Sequence, residues 1–154
     1  MNLIEILKQL NIEYEIIEHQ AVFTVEEAKH ISNRIDGIGC KNLFLANKKE
    51  KYFLVILKDD KKANIKEIEK IINTSHLSFA NKDKLKEIIG LERGSVTPFG
   101  IINDIYNKVT ILIDKELQNK KLLFHPNRNT ATISVSFQDL IKFIDFEEHK
   151  YILI

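Results

Sequence analysis

Cysteine, tryptophan, proline and glycine are all scarce in this chain of 154 residues, which has one Cys, no Trp, two Pro and five Gly. The lone Cys40 excludes an internal disulfide framework and a cysteine-only metal site, and it fits a reducing compartment such as the cytoplasm. The histidines at 19, 30, 76, 125 and 149 form neither an HxH nor an HExxH pattern, so no metal and no cofactor is expected. No apolar run reaches the ~18 residues of a membrane span. Glu5 and Lys8 break the apolar pattern of the N-terminus, which argues against an export signal. Excess charge is lacking too. Lys and Arg total 23 against 22 Asp and Glu, so nothing in bulk favours duplex DNA, whose non-specific binding rests on phosphate neutralisation. The lysines cluster locally at Lys48-Lys49-Lys51, Lys58-Lys61-Lys62 and Lys82-Lys84-Lys86, each of which reads equally as solvated surface.

The length suits one domain spanning residues 1–154, with 44% hydrophobic residues to build its core. Leu3, Ile6, Leu7 and Leu10 recur at helical spacing, and Asn11 ends that helix. Residues 14–18 read as a short strand. Thr24 and Glu27 form a capping-box pattern before a helix over about 25–33. The segments 42–47 and 52–58 are β-prone and joined by a charged turn, which predicts a hairpin. Asn64 and Asn81 are positioned to cap further helices, the second ending at Gly90, where a left-handed residue is wanted. Strands are expected at 77–79, 109–113, 121–124 and 130–135, then a helix capped by Ser136 and a last edge strand at 151–154. Helices come first, then strands interrupted by helices without regular alternation, which predicts an α+β (mixed α/β) domain around one central sheet.

Three places invite chemistry. Gly94-Ser95-Val96-Thr97-Pro98-Phe99-Gly100 is the one stretch combining Gly, Pro, Ser and Thr. A loop of this composition either aims several backbone N–H groups at one anion or oxyanion, or is simply a stiff turn. It is neither a Walker loop nor a GxSxG elbow. Lys41 precedes an apolar strand and must place its ammonium at a strand end, in solvent or against an anion. Cys40 beside it lacks an assignable His–acid pair and is not read as a nucleophile. His125, held by Pro126 at a strand end, is either a fixed donor or acceptor at a site or the cap of a turn.

Taken together, Lys41-Asn-Leu-Phe-Leu45, Ser78-Phe-Ala80, the segment from Gly94 to Gly100 with Asn103-Asp104, and His125-Pro-Asn-Arg-Asn-Thr130 resemble the YbaK/ProX family of aminoacyl-tRNA editing domains in order and spacing. The resemblance runs from about Tyr14 to Phe143 and is greatest to its free-standing alanyl-tRNA(Pro) deacylase branch. It implies a curled mixed β-sheet flanked by helices. It also implies trans-editing, the hydrolysis of the ester that joins a wrong amino acid to the 3′-terminal adenosine of tRNA(Pro). Such editing is needed because a pocket sized for one amino acid rejects a smaller one weakly, by about 1–3 kcal/mol per methylene.

In the family, the lysine matching Lys41 is the leading polar side chain, and the loop matching Gly94 to Pro98 lines the site. The residues matching His125 and Asn42 complete the polar shell. The mechanism this implies has Lys41 holding the aminoacyl-adenosine end, N–H groups from Gly94 to Thr97 binding the carbonyl oxygen, and water attacking with help from the free ribose hydroxyl. His125 orients, and Ser95 and Thr97 are not nucleophiles because no base is paired with them. Phe23, Thr24, Phe99 and Phe124 are expected to narrow the pocket. The cysteine-removing branch tends to carry Lys-Thr where this chain has Lys41-Asn42, which favours alanine. The expected partner is the acceptor end of mischarged tRNA(Pro), with prolyl-tRNA synthetase a further candidate. The alternatives are a cysteinyl-tRNA(Pro) deacylase and a non-catalytic module that senses aminoacyl-tRNA.

Overall fold

A computed structural model describes residues 1–22 and 24–154. Eight strands form its sheet: β1 Glu15–Glu18, β2 Ile38–Ala46, β3 Tyr52–Lys58, β4 Ser78–Phe79, β5 Val109–Ile113, β6 Lys121–Phe124, β7 Ala131–Ser136 and β8 Tyr151–Leu153. Their order across the sheet is β1-β7-β6-β2-β3-β5-β8, with β4 joined to β2. The hairpin β2–β3 is antiparallel, whereas β2–β6, β3–β5 and β5–β8 are parallel. The residue pattern predicts the single central sheet, the resemblance implies the mixed sheet flanked by helices seen here, and β8 takes the edge.

Five helices flank it: α1 Leu3–Gln9, α2 Val25–Ser32, α3 Ile65–Ile71, α4 Lys82–Ile89 and α5 Phe137–Phe146. Each begins where a short polar side chain can accept an otherwise unpaired N–H. Asn2, Thr24, Asn64, Asn81 and Ser136 accept from Glu5, Glu27, Glu67, Lys84 and Asp139 respectively. Gly90 closes α4 at φ 69°, in the left-handed region. Elsewhere asparagine supplies that conformation in place of the scarce glycine: Asn11, Asn73, Asn107, Asn119 and Asn127 all have φ between 51° and 65°.

Two expectations need correction. β2 starts at Ile38 rather than Asn42, because Ile38 and Gly39 pair with Leu122 and Leu123 of β6; Lys41 therefore sits inside the strand instead of ahead of it. The segment from Gly94 to Gly100 is not an irregular loop but two 3-10 segments, Arg93–Ser95 and Pro98–Asn103. Neither of its glycines adopts a positive φ.

Strand alternation divides the interior. Asn42 and Phe44, opposite Ile56 and Leu54, share the face covered by α1, α4, α5 and the second 3-10 segment, where Leu7, Ile89, Phe99 and Phe143 form the larger core. Lys41, Leu43 and Leu45, opposite Leu57, Val55 and Phe53, lie on the other face, which Ile68 of α3 covers in a smaller core.

A buried polar cluster pins the start of β5 to the turn before β8. The Asp104 carboxylate accepts from the N–H groups of Lys108 (3.0 Å) and Val109 (2.9 Å) and from His149 Nε2 (2.8 Å), while His149 Nδ1 lies 2.7 Å from the Glu147 carbonyl. Both ring nitrogens face acceptors, so the ring is doubly protonated. Burial opposes that charge, but Asp104 and Glu147 outweigh it and hold His149 above its ordinary 6.5. Burial likewise opposes the Asp104 charge, and His149 with the two N–H groups overcomes it, holding Asp104 below its ordinary 3.8. The His149 contribution to stability is complete below pH 6.5 and is lost as pH rises through its raised pKa. The Asp104 contribution is present above pH 3.8 and is lost as pH falls through its lowered pKa. Asp104→Asn is expected to cost about 3–5 kcal/mol at about pH 6 in urea denaturation, with the deficit shrinking toward about pH 9. A deficit constant over that range would show that His149 is not charged.

Candidate active site

The parallel pairing of β2 with β6 lasts two residues, Ile38–Leu122 and Gly39–Leu123. Beyond it β6 ends at Phe124, while β2 runs on until β4 pairs with its edge at Leu45 and Ala46. Between these pairings the backbone edge of β2 lacks a neighbouring strand, and a cavity of about 120 Å³ opens there. Crevices at the carboxyl ends of parallel strands that part are the usual ligand sites of such sheets. Because the strands separate, the cavity touches residues from both faces. Gly39, Leu123 and Thr132 come from one face and Cys40, Asn42 and Phe124 from the other, with Ala28, Ile31 and Ser32 of α2 along a wall.

His125 stands at the end of β6 and lines this cavity. Its Nδ1 lies 3.1 Å from the Ala131 carbonyl, which can only accept, so Nδ1 carries the proton and Nε2 is left as an acceptor. Burial pushes its pKa below the ordinary 6.5 and keeps the ring neutral. Asn42 lines the same cavity, and its buried Oδ1 has no partner among the described residues. An unpaired buried acceptor costs about 1–3 kcal/mol, a penalty that a ligand donor would remove. Lys41 follows Gly39 on the same strand face, half-buried, and its ammonium has neither an ion pair nor a hydrogen bond among the described residues.

Among the described residues, none of the 3-10 segments lines this cavity, and they connect to it through the turn after His125. Asn127 Nδ2 donates to the Phe99 carbonyl at 3.3 Å, and a Cβ on Gly94 would lie 3.6 Å from the Asn129 amide. Within them, the Ser95 N–H donates to the Glu92 carbonyl at 3.0 Å, which engages one of the expected oxyanion donors. Thr97 is fully buried and its hydroxyl accepts the Phe99 N–H, so it is a cap within the turn. Pro98 and Phe99 are buried; Phe99 stacks edge-on against Phe124 and Phe143 at 5.8 and 5.1 Å. It supports Phe124 from the core side rather than lining the cavity, because the 3-10 turn begun by Pro98 directs the ring inward. Thr24 is exposed and engaged in capping α2. Phe23 lies outside the described residues.

Several lining groups escaped the sequence reading. A Cβ on Gly39 would fall 2.4 Å from Asp59 Oδ2, so only glycine lets that carboxylate settle over the strand; a glycine within a β-prone run was the available signal. His19 Nε2 lies 2.8 Å from the Thr132 hydroxyl, with its Nδ1 against the Gln20 carbonyl, a pairing across the β1–β7 edge that no local pattern announces. Cys40 is half-buried in the wall, with its thiol pushed up to about 12 by burial, which makes it inert at neutral pH. Of the lysine clusters, Lys58, Lys61, Lys84 and Lys86 form ion pairs with carboxylates. Among the described residues Lys48, Lys49 and Lys51 form none, and they share a large groove with Lys108 and Lys150 at the other end of β3. Among the described residues no cluster of three His, Cys, Asp or Glu is arranged to hold a metal, and no helix is long and apolar enough to cross a membrane.

Residues 19–143 match the family described as aminoacyl-tRNA editing domain. A prolyl-tRNA editing protein ProX of Acetoanaerobium sticklandii is 38% identical over 141 residues, which span 90% of this chain and 85% of that protein. A prolyl-tRNA synthetase associated domain-containing protein of Danio rerio is 34% identical over 153 residues, spanning 97% and 83% respectively. A solved structure described as a candidate trans-editing enzyme for prolyl-tRNA synthetase superposes with a TM-score of 0.73 at 14% identity, covering 96% of this chain and 90% of its own, a likeness of fold alone.

The orphaned acceptor makes a prediction about stability. Asn42→Leu keeps the side-chain shape and removes a buried unpaired oxygen, so it is expected to raise unfolding free energy by about 1 kcal/mol in urea denaturation. A clear destabilisation would mean that Oδ1 is satisfied in the free protein.

Proposed function

Because the chain belongs to the aminoacyl-tRNA editing domain family, we propose that it is a trans-acting deacylase of mischarged tRNA(Pro) with alanyl-tRNA(Pro) as its preferred substrate. The observation that carries this reading is the small cavity itself. Its volume of about 120 Å³ has room for a small side chain, and its polar lining includes a neutral His125 and an unpaired Asn42 acceptor, with Lys41 between the lining residues Cys40 and Asn42 in the sequence of β2. A space of that size accepts a small amino-acid side chain, as a second sieve against a product admitted by a proline-sized pocket requires, and Asn42 after Lys41, where the cysteine-removing branch tends to carry Thr, favours alanine.

In this mechanism Lys41 attracts the phosphate and ribose of the terminal adenosine. Asn42 Oδ1 accepts a hydrogen bond from the amino acid's ammonium, and His125 Nε2 accepts one from the attacking water. Water adds to the ester carbonyl carbon. The oxygen that becomes negative is held by N–H groups of the 94–97 segment other than that of Ser95, which donates to the Glu92 carbonyl. The vicinal ribose hydroxyl helps to move the proton, the acyl carbon–oxygen bond breaks, and the ribose oxygen leaves protonated with free amino acid as the other product. Ser95 and Thr97 form no acyl intermediate, since neither hydroxyl has a base beside it in the hydrogen bonds they make.

Deacylation of alanyl-, cysteinyl- and prolyl-tRNA(Pro) by wild type and Lys41→Ala tests the reading in one assay. Fast loss of alanine is expected, with kcat/KM lower in the variant by about 100-fold or more. Faster loss of cysteine would reassign the substrate, and no loss above the spontaneous rate would remove the enzymatic reading. The pH profile offers a separate check. Only neutral His125 can accept from water, and its pKa lies below 6.5, so kcat/KM is expected to hold through pH 6.5 and to fall at lower pH. His125→Ala should lose that acid limb.

A further inference from the structure

Ser78-Phe79-Ala80 belongs to the pattern that marks this chain, yet nothing in the chemistry above uses it. β4 consists of Ser78 and Phe79 alone, and its pairing places Phe79 directly opposite Leu45 of β2. Opposite residues of an antiparallel pair share a face, so the Phe79 ring stands on the face that carries Leu45, Leu43 and Lys41. Its neighbours there are buried: Leu45 is 0% exposed and Leu77, two residues before it, 7%. Phe79 is 62% exposed and takes part in no aromatic pair among the described residues. A single exposed apolar side chain is ordinary on a protein surface. Its position is what matters here. β4 takes up the β2 edge where the cleft ends, and four strand residues, about 13 Å, separate Leu45 from Lys41 and its unpaired ammonium. An exposed aromatic face and a cation without a partner among the described residues, on one sheet face, is the pairing that holds single-stranded RNA, with the ring taking a base and the cation the backbone.

Resting on the deacylase reading for the identity of the ligand, we propose that Phe79 is the stacking platform for an unpaired base at the 3′ end of the tRNA, so that the strand enters along β4 and the β2 edge and delivers its terminal ester to Lys41, Asn42 and His125. Stacking of this kind tolerates any base, so Phe79 contributes affinity and direction of entry, while the cavity contributes amino-acid choice.

Uncharged tRNA(Pro) with 2-aminopurine as its terminal or its penultimate base probes this without any hydrolysis. A fluorescence change on titration with wild-type protein is expected from one of the two positions. Phe79→Tyr should preserve it. Phe79→Ala and Phe79→Leu should abolish it and raise Kd by roughly 5- to 150-fold. In deacylation the same two variants should raise KM with kcat nearly unchanged, the signature of lost uniform binding. The leucine variant separates stacking from mere apolar cover, and the exposure of Phe79 means that none of these changes removes core packing. If Phe79→Leu binds as wild type does, or neither probe position responds, stacking on Phe79 is wrong while hydrolysis by wild type keeps the deacylase reading. If the probe responds through Phe79 but no aminoacyl-tRNA is hydrolysed, the deacylase reading fails and the stacking site stands. Absence of any tRNA binding by wild type overturns both.

Discussion

The parting of β2 from β6 after two shared residues is the constraint on which the site depends. Parallel strands that stay paired leave no room between them, and strands that never pair fix no geometry. Here Gly39 and Leu123 make the last contact, and Cys40 and Asn42 on one strand and Phe124 and His125 at the end of the other become walls of the opening. Pairing on the far side keeps β2 straight while its near edge is free, because seven consecutive residues remain in register with β3. The main chain around the gap is therefore held by the sheet, and the unpaired polar groups within it are preorganised rather than mobile.

Two layers of support reinforce that arrangement. Beneath the cavity, Phe99 wedges between Phe124 and Phe143, so the 3-10 segment and the end of β6 share one packing unit. Beside it, Asn127 ties the His125 turn to the Phe99 carbonyl, and Arg128 grips Glu18 of β1 through two hydrogen bonds of 2.6 and 2.7 Å. The turn that carries His125 is thus fixed from both directions. Asp104 with His149 does the corresponding work at the opposite rim, away from the chemistry, where a buried ion pair sets the register of β5 and β8.

The electrostatics suit a ligand with charge at one end and little bulk at the other. Overall charge is close to zero, many of the clustered lysines are neutralised by neighbouring carboxylates, and Lys41, next in sequence to the lining residues Cys40 and Asn42, has no ion pair among the described residues. In the proposed function attraction is then local to the ester end of the RNA, and the cavity takes the amino-acid side chain. A base-stacking residue at the rim fits that division, since it adds affinity without asking which base is present.

Local patterns in the chain were enough to read the five helices, the caps of all but the first, the β2–β3 hairpin, the edge strand β8 and a single central sheet. Each of these depends on hydrophobic spacing or on a capping side chain within a few residues. The same patterns singled out Lys41, the 94–100 segment and His125, because a lysine, a glycine-rich turn and a histidine at strand ends are locally conspicuous, whereas Asn42 was marked only by the family resemblance. What they could not reveal depends on pairing between distant segments. That Lys41 lies inside β2 follows from β6, some eighty residues away in sequence. That Phe99 faces the core while Asn42 keeps an unpaired oxygen follows from how the strands part. Asp59 over Gly39, His19 on Thr132 and the exposed Phe79 beside buried Leu45 arise in the same way. Residue type and short spacing decide which elements form, since those energies are local; which side chains meet across a gap is decided only when the sheet closes and its register is set.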